Sequence, residues 1–383
     1  MNILYTLNSG NPGGMEQHVL DLVRGMIGAG HNVFVWCAPG SFAEEYRKAG
    51  AKVSEESIKL DICPQYILKL AHFMSQNQID LVHSHELKAV VNSLLAAVFA
   101  GVKIRVTHTH TPISEWQVPS WKKELNMRIY SFLVNRLSTV EIALTESRQR
   151  VKESEGISPD KLAIIPNGVN FVSTALADSE VRAYRKEICE RYGISENAYI
   201  FGFISRISRE KGHEVLIHAY KQFKDFLAAK GAEDNSFLFL GGGGDLEPET
   251  KQLIKDLDLD DTAVITGRFA SEDHQKFYAT LDCFVFPSLA EGFGIVLLEA
   301  MAHLLPVICS DLEVLQEVGG ATVRYFEAGN PNDLAEKMVD LYGRRDQFKE
   351  LTQSAFQRVH DLYSFESFTE KYLNLYSRLL QNE

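Results

Sequence analysis

The sequence is poor in cysteine and has no long apolar run. The five cysteines among its 383 residues are Cys37, Cys63, Cys189, Cys283 and Cys309. Their odd number, wide spacing and lack of a CxxC pair exclude a disulfide framework and a thiolate zinc site. The most apolar segment, residues 90–102, is interrupted by Asn92 and Ser93 and is too short to span a bilayer. Since the amino terminus also lacks a basic, cleavable leader, we expect a cytoplasmic protein.

An excess of positive charge is also missing. The 51 Asp and Glu residues outnumber the 39 Lys and Arg residues, so the net charge is −12. Such a chain repels phosphate backbones, which excludes nucleic-acid binding as its main function. The chain is nevertheless 45% hydrophobic, enough for packed cores. At roughly 150 residues per domain, its length predicts two domains.

Short β-rich runs alternate with helix-length amphipathic stretches along the whole chain. In the first half, strands are predicted at 2–7, 31–37, 81–85, 103–108 and 161–166, and helices at 16–28, 42–49, 87–99 and 122–137. In the second half, strands are predicted at 199–205, 237–240, 263–267, 283–288 and 306–310, and helices at 214–229, 247–257, 273–279 and 294–303. This alternation is typical of βαβ units, so the predicted fold class is α/β with two doubly wound parallel sheets.

Two carboxylates with seven residues between them follow the predicted strand 283–288. In the run Glu291-Gly-Phe-Gly-Ile-Val-Leu-Leu-Glu299, Gly292 and Gly294 precede a predicted helix. The first N–H groups of a helix have no partner within it, so they can bind a phosphate or a sugar hydroxyl. The alternative interpretation is an ordinary turn followed by a solvated helix carboxylate.

Two cations follow the predicted strand 199–205. Arg206 and Lys211 lie between this strand and the helix predicted at 214–229. Cations at the end of a strand can neutralise a diphosphate without a metal ion. The alternative is an ordinary basic loop between a strand and a helix.

Glycine occupies every position from 241 to 244, directly after another predicted strand. Without a Cβ, the backbone can approach a ligand closely. The run lacks the GxGxxG spacing and the later acidic residue of a nicotinamide dinucleotide site, so that cofactor is not expected.

Gly13 and Gly14 open the first predicted helix and offer a second set of backbone donors. Two HxH pairs, at 83–85 and 108–110, lie at the ends of predicted strands, where the two-residue period puts each pair on one face. Such pairs hold zinc in some metallohydrolases. Because no Asp or Cys nearby completes a ligand set, no metal site is expected.

In this combination and order, the motifs resemble the retaining glycosyltransferases of the GT-B type, family GT4. The resemblance rests on Gly13-Gly14 with Glu16, His110, Pro166-Asn167-Gly168-Val169, Arg206 with Lys211, Gly242-x-Gly244, and Glu291-x7-Glu299 within PSLAEGFGIVLLEAMA. It implies a GT-B architecture, in which two Rossmann-like doubly wound domains face a central cleft. The expected limits are 1–166 for an acceptor-side domain, 167–360 for a nucleotide-sugar-binding domain and 361–383 for a terminal helix that crosses back to the first.

The resemblance also implies roles for individual residues. Arg206 and Lys211 would contact the diphosphate of the donor, Glu299 its ribose, and Glu291 the hydroxyls of the transferred sugar. His110 would lie beside that sugar, and His108 is the competing choice. The other donor-binding residues implied are Gly13, Gly14, Gly242, Gly244, Arg268, Gly292, Phe293, Gly294 and Ile295.

The implied reaction is metal-independent transfer of a sugar from a nucleoside-diphosphate donor to an acceptor hydroxyl, with retention at the anomeric carbon. No cofactor is expected besides the donor, for which UDP is favoured over GDP. The acceptor is a glycan, a lipid-linked sugar or a small molecule, as in polysaccharide biosynthesis. Asp256-Leu257-Asp258 is interpreted as the end of a polar helix and not as a metal-binding DxD motif. Two alternatives are a sugar-nucleotide epimerase and a non-catalytic nucleotide-sugar-binding protein.

The segment 116–136 combines aromatic and basic side chains. They are Trp121, Lys122, Lys123, Arg128, Tyr130, Phe132 and Arg136. On a helix, such residues suit contact with an anionic membrane surface, which a lipid-linked acceptor would need. The alternative is a core-packing helix with a basic outer face. Peripheral contact with the inner face of the membrane is therefore the expectation for a cytoplasmic enzyme of this kind.

Overall fold

The computed structural model describes residues 1–116, 118–170, 176–270, 272–344 and 348–381. The chain forms two compact units, one of Met1–Gly168 with Phe365–Glu383 and the other of Val169–Ser364. The unit boundaries thus follow residues 168 and 364, whereas the sequence analysis placed them after 166 and 360.

The described part of the first unit contains a seven-stranded parallel sheet in the order β3-β2-β1-β4-β5-β6-β7. Its strands are β1 (Asn2–Leu7), β2 (Asn32–Cys37), β3 (Lys52–Glu55), β4 (Leu81–His85), β5 (Ile104–His108), β6 (Val140–Ala143) and β7 (Leu162–Ile164). Its first six helices are α1 (Gly14–Gly28), α2 (Ala43–Lys48), α3 (Pro64–Gln76), α4 (Leu87–Ala100), α5 (Ser120–Leu137) and α6 (Glu146–Ser154).

The described part of the second unit contains a six-stranded parallel sheet in the order β10-β9-β8-β11-β12-β13. Its strands are β8 (Tyr199–Ile204), β9 (Ser236–Gly241), β10 (Ala263–Ile265), β11 (Cys283–Phe286), β12 (Val307–Ser310) and β13 (Arg324–Phe326). Its helices are α7 (Asp178–Tyr192), α8 (His213–Ala229), α9 (Glu247–Asp256), α10 (Asp273–Thr280), α11 (Ile295–Ala302), α12 (Glu313–Gly319), α13 (Pro331–Gly343) and α14 (Lys349–Tyr363). The last helix, α15 (Phe365–Gln381), belongs to the first unit.

The central strands are buried on both faces, as parallel strands covered by helices require. Every residue of β8 and β9 is buried. The prediction of two Rossmann-like α/β units is therefore confirmed. Strands β3, β6 and β13 and helices α3 and α6 were not predicted from the sequence. Helix α3 nevertheless carries the apolar spacing of an amphipathic helix in its buried Tyr66, Ile67, Leu70 and Met74.

The most apolar stretch of the chain forms α4, which packs inside the first unit. Ala89 and Ala96 join one core cluster, and Val90 and Leu94 join another. None of the described helices is both long and apolar enough to cross a membrane.

α15 completes the core on the opposite face of the first sheet. Phe368, Tyr372, Leu375 and Tyr376 recur at helical spacing and are buried beside residues of α1 and β1. The hydroxyl of Tyr376 lies 2.8 Å from Nδ1 of His83. The end of the chain is thus an integral part of the first unit.

A buried ion pair links α6 to β6. Nζ of Lys152 donates to Oε1 of Glu141, and the two side chains are 3% and 0% exposed. Lys152 also donates to Oγ1 of Thr109 at 2.6 Å, and the hydroxyl of Tyr130 donates to Glu141 at 2.9 Å. Because each charge has several partners, the pair is tolerated in the core.

Candidate active site

The strand order places a ligand site in the second unit. From β8 the chain moves outward to β9 and β10, and then returns to add β11 on the other side of β8. In open α/β sheets, ligands bind beyond the carboxyl ends of the strands where the order reverses in this way. The loops after β8 and β11 flank this point, and they carry Lys211 and Glu291.

Lys211 and Glu291 are in direct contact. Nζ of Lys211 donates to Oε1 of Glu291 at 2.5 Å, and the hydroxyl of Ser288 donates to the same oxygen at 2.9 Å. The Lys211 side chain is 23% exposed and that of Glu291 is 8% exposed. An ammonium group has three donors, so Lys211 keeps hydrogen-bonding capacity for a ligand anion beyond this contact.

The backbone around Lys211 holds this contact in place. The N–H of Leu289 donates to the carbonyl of Glu210 at 2.8 Å, which joins the two loops. Gly212 has a φ of +69°, and a Cβ at this position would lie 2.1 Å from the carbonyl oxygen of Pro287. Only glycine therefore allows the loops to approach this closely.

Arg206 lies in the same loop but is arranged differently. Its side chain is 72% exposed, and Nη2 donates to Oε1 of Glu210 at 3.1 Å. The hydroxyl of Ser208 also donates to that carboxylate, at 2.6 Å. Lys211 is thus an enclosed cation and Arg206 an exposed one, whereas the sequence analysis assigned both residues the same role at the end of the strand.

The glycine run packs against the loop that carries Arg206. A Cβ on Gly242 would lie 2.0 Å from the carbonyl oxygen of Ser205, and one on Gly244 would lie 2.2 Å from that of Ile207. On the other side, a Cβ on Gly243 would lie 3.0 Å from the backbone nitrogen of the exposed Arg268. The glycines therefore allow three backbone segments to approach one another closely: the glycine run itself, the loop after β8 and the backbone at Arg268.

Helix α11 begins directly after the glycines at 292 and 294. Gly294 caps the helix with a φ of +90°, and the side chain of Phe293 is 3% exposed and packs 5.9 Å from the ring of Tyr363. Gly292 and Ile295 flank them and are partly exposed. The buried Phe293 thus anchors the start of a helix whose first N–H groups have no intrahelical partner.

Glu299 is held by α10. Its Oε2 accepts a hydrogen bond from the hydroxyl of Tyr278 at 2.8 Å and lies 3.6 Å from Nε2 of His274. Burial, with the carboxylate of Glu299 adding to it, holds the pKa of Tyr278 well above its usual range, so the tyrosine stays a donor. Tyr278 was not singled out from the sequence because an isolated tyrosine on a helix carries no motif.

The first unit has an equivalent reversal of strand order between β1 and β4. Gly13 and Gly14 lie there, both exposed, at the start of α1. Glu16 is 5% exposed, and a Cβ on Gly13 would lie 2.5 Å from its Oε2. Glycine at position 13 thus leaves room for the buried carboxylate below it.

The two HxH pairs lie side by side at the carboxyl ends of β4 and β5. His85 and His108 are partners in the strand register, and Nδ1 of His85 lies 3.1 Å from Nε2 of His110. His108 is fully buried, whereas His110 is partly exposed. Of the two histidines considered beside the transferred sugar, His110 is thus the more accessible.

Two neighbours of these histidines, His18 and Glu86, were given no role from the sequence. His18 on α1 packs 4.8 Å from the ring of His110, and its Nδ1 lies 2.7 Å from Oδ1 of Asn167. Glu86 accepts a hydrogen bond from the backbone of His110 at 3.2 Å, and burial raises the pKa of its carboxyl to about 7. Glu86 also has a φ of +67°, an uncommon conformation for a residue other than glycine.

The HxH pairs have a further candidate metal ligand beside them, contrary to the expectation from the sequence. The sequence offered two HxH pairs and no further ligand, but the structure adds His18, so that His18, His85, His108 and His110 form one cluster. This imidazole comes from a distant part of the chain, and nothing local in the sequence shows that it joins the HxH pairs.

Two family models match the two halves of the chain. The model "Glycosyl transferases group 1" matches residues 185–358, and "Glycosyltransferase Family 4" matches residues 12–172. Together they cover both strand-order reversals. Apart from Tyr363, the residues of the candidate site thus lie within the matched segments.

Individual proteins agree with these matches. The chain is 27% identical over 319 residues to the putative glycosyltransferase EpsF of Bacillus subtilis, with 81% of this chain and 79% of that protein covered. It is 25% identical to an α-1,3-galactosyltransferase of Escherichia coli that acts between UDP-Gal and α-D-GlcNAc-diphosphoundecaprenol, with 64% and 61% covered. The crystal structure of HepE from Anabaena in complex with UDP and glucose has the same fold, with a TM-score of 0.85, 22% identity, and 99% and 100% of the two chains covered.

Proposed function

Because the chain belongs to the group 1, GT4-type glycosyltransferases, we propose that it moves a sugar from a nucleoside-diphosphate donor to an acceptor hydroxyl with retention, without a metal ion. Glycosyltransferase activity follows from the family. The proposal adds the donor, the retained stereochemistry, the independence of a metal ion and the acceptor. An epimerase or a non-catalytic binding protein would not fit a member of this family.

The contact between Lys211 and Glu291 at the strand-order reversal carries this proposal. An ammonium group there can bind the donor diphosphate, while the neighbouring carboxylate accepts hydrogen bonds from the hydroxyls of the sugar. Arg206, being exposed, supplies a second cation when a ligand is bound. The backbone at Gly242, Gly244, Gly292, Phe293, Gly294 and Ile295 and the loop at Arg268 would complete the donor site.

The chemistry follows from charge. When the bond between the anomeric carbon and the diphosphate oxygen breaks, the sugar becomes oxocarbenium-like and the nucleoside diphosphate gains negative charge. Cations already in position stabilise that charge more in the transition state than in the ground state. The acceptor oxygen then attacks the same face, and its proton passes to the departing phosphate oxygen. Glu291 positions the sugar in this scheme, and His110 keeps the role beside the sugar that the family resemblance implies.

Metal independence has a direct test. Since Lys211, Arg206 and helix α11 neutralise the diphosphate, we expect the transfer rate not to fall after dialysis against excess EDTA. The measurement is product formation before and after dialysis, with magnesium or manganese added back to a parallel sample. Loss of turnover that either ion restores would refute the metal-independent scheme.

UDP is the proposed nucleotide, and a UDP-bound structure of the same fold supports it. A ligand that binds only the folded protein raises its melting temperature. UDP and UDP-sugars are therefore expected to raise the Tm more than GDP or ADP and their sugars. A larger shift with GDP would reassign the base and leave the transfer chemistry intact.

Glu299→Ala is expected to weaken donor binding. A hydrogen bond to a charged group contributes about 1.5–3 kcal/mol, so the donor KM should rise by roughly tenfold to a hundredfold while kcat changes less. Glu249→Ala, which removes an exposed carboxylate from α9, is the matched control. A donor KM equal to that of the control would show that Glu299 does not bind the ribose.

We also propose that α5 contacts an anionic membrane surface, where a lipid-linked acceptor would be found. Trp121, Leu125, Ile129 and Phe132 recur every three or four positions and are all exposed, with Trp121 71% exposed. Arg136 lies over the ring of Phe132, 5.9 Å from its centre, and Arg128 is exposed beside them. Tyr130 does not belong to this surface, because it is buried and bonded to Glu141, and Gln117 lies outside the described residues.

Vesicle flotation tests this contact. We expect the protein to float with vesicles that contain phosphatidylglycerol and not with purely zwitterionic vesicles, because apolar burial and charge both contribute. Trp121→Ser combined with Phe132→Ser should abolish flotation. Phe226→Ser, which removes an exposed aromatic ring from α8, should not. Flotation that is equal for all three proteins would refute a role for α5.

A further inference from the structure

Three buried imidazoles and one partly exposed imidazole of the first unit converge on one point. His18 comes from α1, His85 from the end of β4, His108 from the end of β5 and His110 from the loop that follows. One ring nitrogen of each lies within 4.8 Å of those of the other three. Residues this far apart in the sequence meet because β1, β4 and β5 are neighbours in the sheet.

Several of these nitrogens have no hydrogen-bond partner among the described residues. They are Nε2 of His18, Nε2 of His85, and both Nδ1 and Nε2 of His108. A buried polar atom without a partner costs free energy, and buried side-chain nitrogens are usually satisfied. An electron-pair acceptor bound by several of these nitrogens at once would satisfy them.

The hydrogen bonding of His18 suits such a ligand. In His18, Nδ1–H donates to Oδ1 of Asn167 at 2.7 Å, which leaves the lone pair of Nε2 free. An outer hydrogen bond of this kind is what orients a metal-binding imidazole.

We propose that His18, His85, His108 and His110 form a binding site for a divalent d-block metal ion, with zinc as the ion expected. Neutral imidazole is a good ligand for zinc, whereas magnesium and calcium require oxygen ligands. Four nitrogens about 2.0 Å from a tetrahedral zinc ion lie about 3.3 Å from one another. Side-chain rotations that shorten the longest nitrogen–nitrogen separations, which reach 4.8 Å, by about 1.5 Å would close the site.

Two features would stabilise a bound cation. Glu86 accepts the backbone hydrogen bond of His110 and places a carboxyl group beside the cluster. Two of the four rings, those of His85 and His108, also lie on the ends of paired strands, where they are opposite each other in the register. A site on strands and a helix holds its ligands more precisely than one on loops.

The metal site has a consequence for transfer that rests on the proposed function. His110 belongs both to the metal cluster and to the proposed sugar site, so a bound zinc ion would withdraw it from the sugar. Zinc is therefore expected to inhibit, and a chelator to relieve that inhibition. Metal binding itself is measured without donor or acceptor, so its outcome is independent of the transfer scheme.

The experiment is equilibrium dialysis of the full chain against zinc, followed by metal analysis, with cobalt(II) as a spectroscopic probe. We expect one zinc ion per chain, the visible absorption of tetrahedral cobalt(II), and no competition from magnesium. His18→Gln and His108→Gln should each lower zinc affinity by at least about 100-fold, because loss of an outer partner alone costs about 10–100-fold. Asn167→Ala should fall within that smaller range.

His72→Gln, which removes an exposed histidine from α3, is the control and should keep full affinity. Absence of stoichiometric zinc, or equal affinity in the ligand variants and this control, would overturn the proposal as adventitious surface binding. If the ligand variants do not fold, the wild-type protein crystallised with zinc decides. An anomalous peak between the four imidazoles supports the site, and zinc found only elsewhere refutes it.

Discussion

Replacing Lys211 with alanine is expected to lower kcat/KM for transfer by about 100-fold to 1,000-fold, the effect of removing one preorganised electrostatic donor. The ammonium group of Lys211 is only 23% exposed, is held at 2.5 Å by Glu291, and lies where the strand order reverses. A fixed charge in such a site stabilises the leaving diphosphate without reorganisation at the moment of reaction.

The Lys211 variant needs controls, because it also removes the cation beside a nearly buried carboxylate. Lys211→Ala combined with Glu291→Ala removes both charges, and a loss no greater than that of Lys211→Ala alone would show that the two residues act as a unit. Lys221→Ala, which breaks an exposed pair with Asp225 on α8, should leave kcat/KM unchanged. A folded Lys211→Ala enzyme with unchanged kcat/KM would rule out its role in transfer.

The largest expected effect on stability comes from Lys152. Lys152→Met leaves the carboxylate of Glu141 buried without its cation, and breaking a buried pair in this way costs about 3–5 kcal/mol of unfolding free energy. Glu141 would keep the hydroxyl of Tyr130 and the backbone of Thr109 as donors. Neutral donors do not replace a full positive charge in a medium of low dielectric constant.

Tryptophan fluorescence can follow this unfolding selectively. The three tryptophans, Trp36, Trp116 and Trp121, all belong to the first unit. A urea titration therefore reports the unit that contains Lys152, and its midpoint should fall sharply in Lys152→Met. Lys186→Met, which removes an exposed pair with Glu190, should change the midpoint little.

The double variant Lys152→Met with Glu141→Leu tests whether the loss of stability comes from the unpaired buried carboxylate. Apolar replacement of both partners of a buried pair often recovers stability, so this protein should be more stable than Lys152→Met alone. Equal midpoints for the wild type and Lys152→Met would mean that the charge of Glu141 is not buried in the folded protein.

The segments of the candidate site in the second unit could be predicted from the sequence because their signals are local. Lys211, the glycines at 241–244 and the run from Glu291 to Glu299 each follow an apolar strand within a few residues. Hydrophobic periodicity and glycine positions extend over one strand or one helical turn. They can therefore be recognised in the sequence without knowledge of the tertiary contacts. The same periodicity was present in α3, where it was overlooked.

Differences within these segments needed the structure. The sequence treats Arg206 and Lys211 alike, but one is 72% exposed and the other is enclosed against Glu291. Tyr130 and Phe132 are equally aromatic in the sequence, yet one is buried and the other exposed on α5. Burial depends on what packs against a helix, which its own sequence only partly encodes.

The amino-acid sequence by itself determined the two α/β units and the order of the site motifs, because these follow from spacings between near neighbours in the chain. Only the tertiary structure decided that His18 joins His85, His108 and His110, and that Lys152 meets Glu141 in the core. Those groups meet through strand order and register, which bring together residues that are remote in the chain. Contacts of this kind produce no local pattern in the sequence. They are therefore known only from the structure, which shows the order and register of the strands.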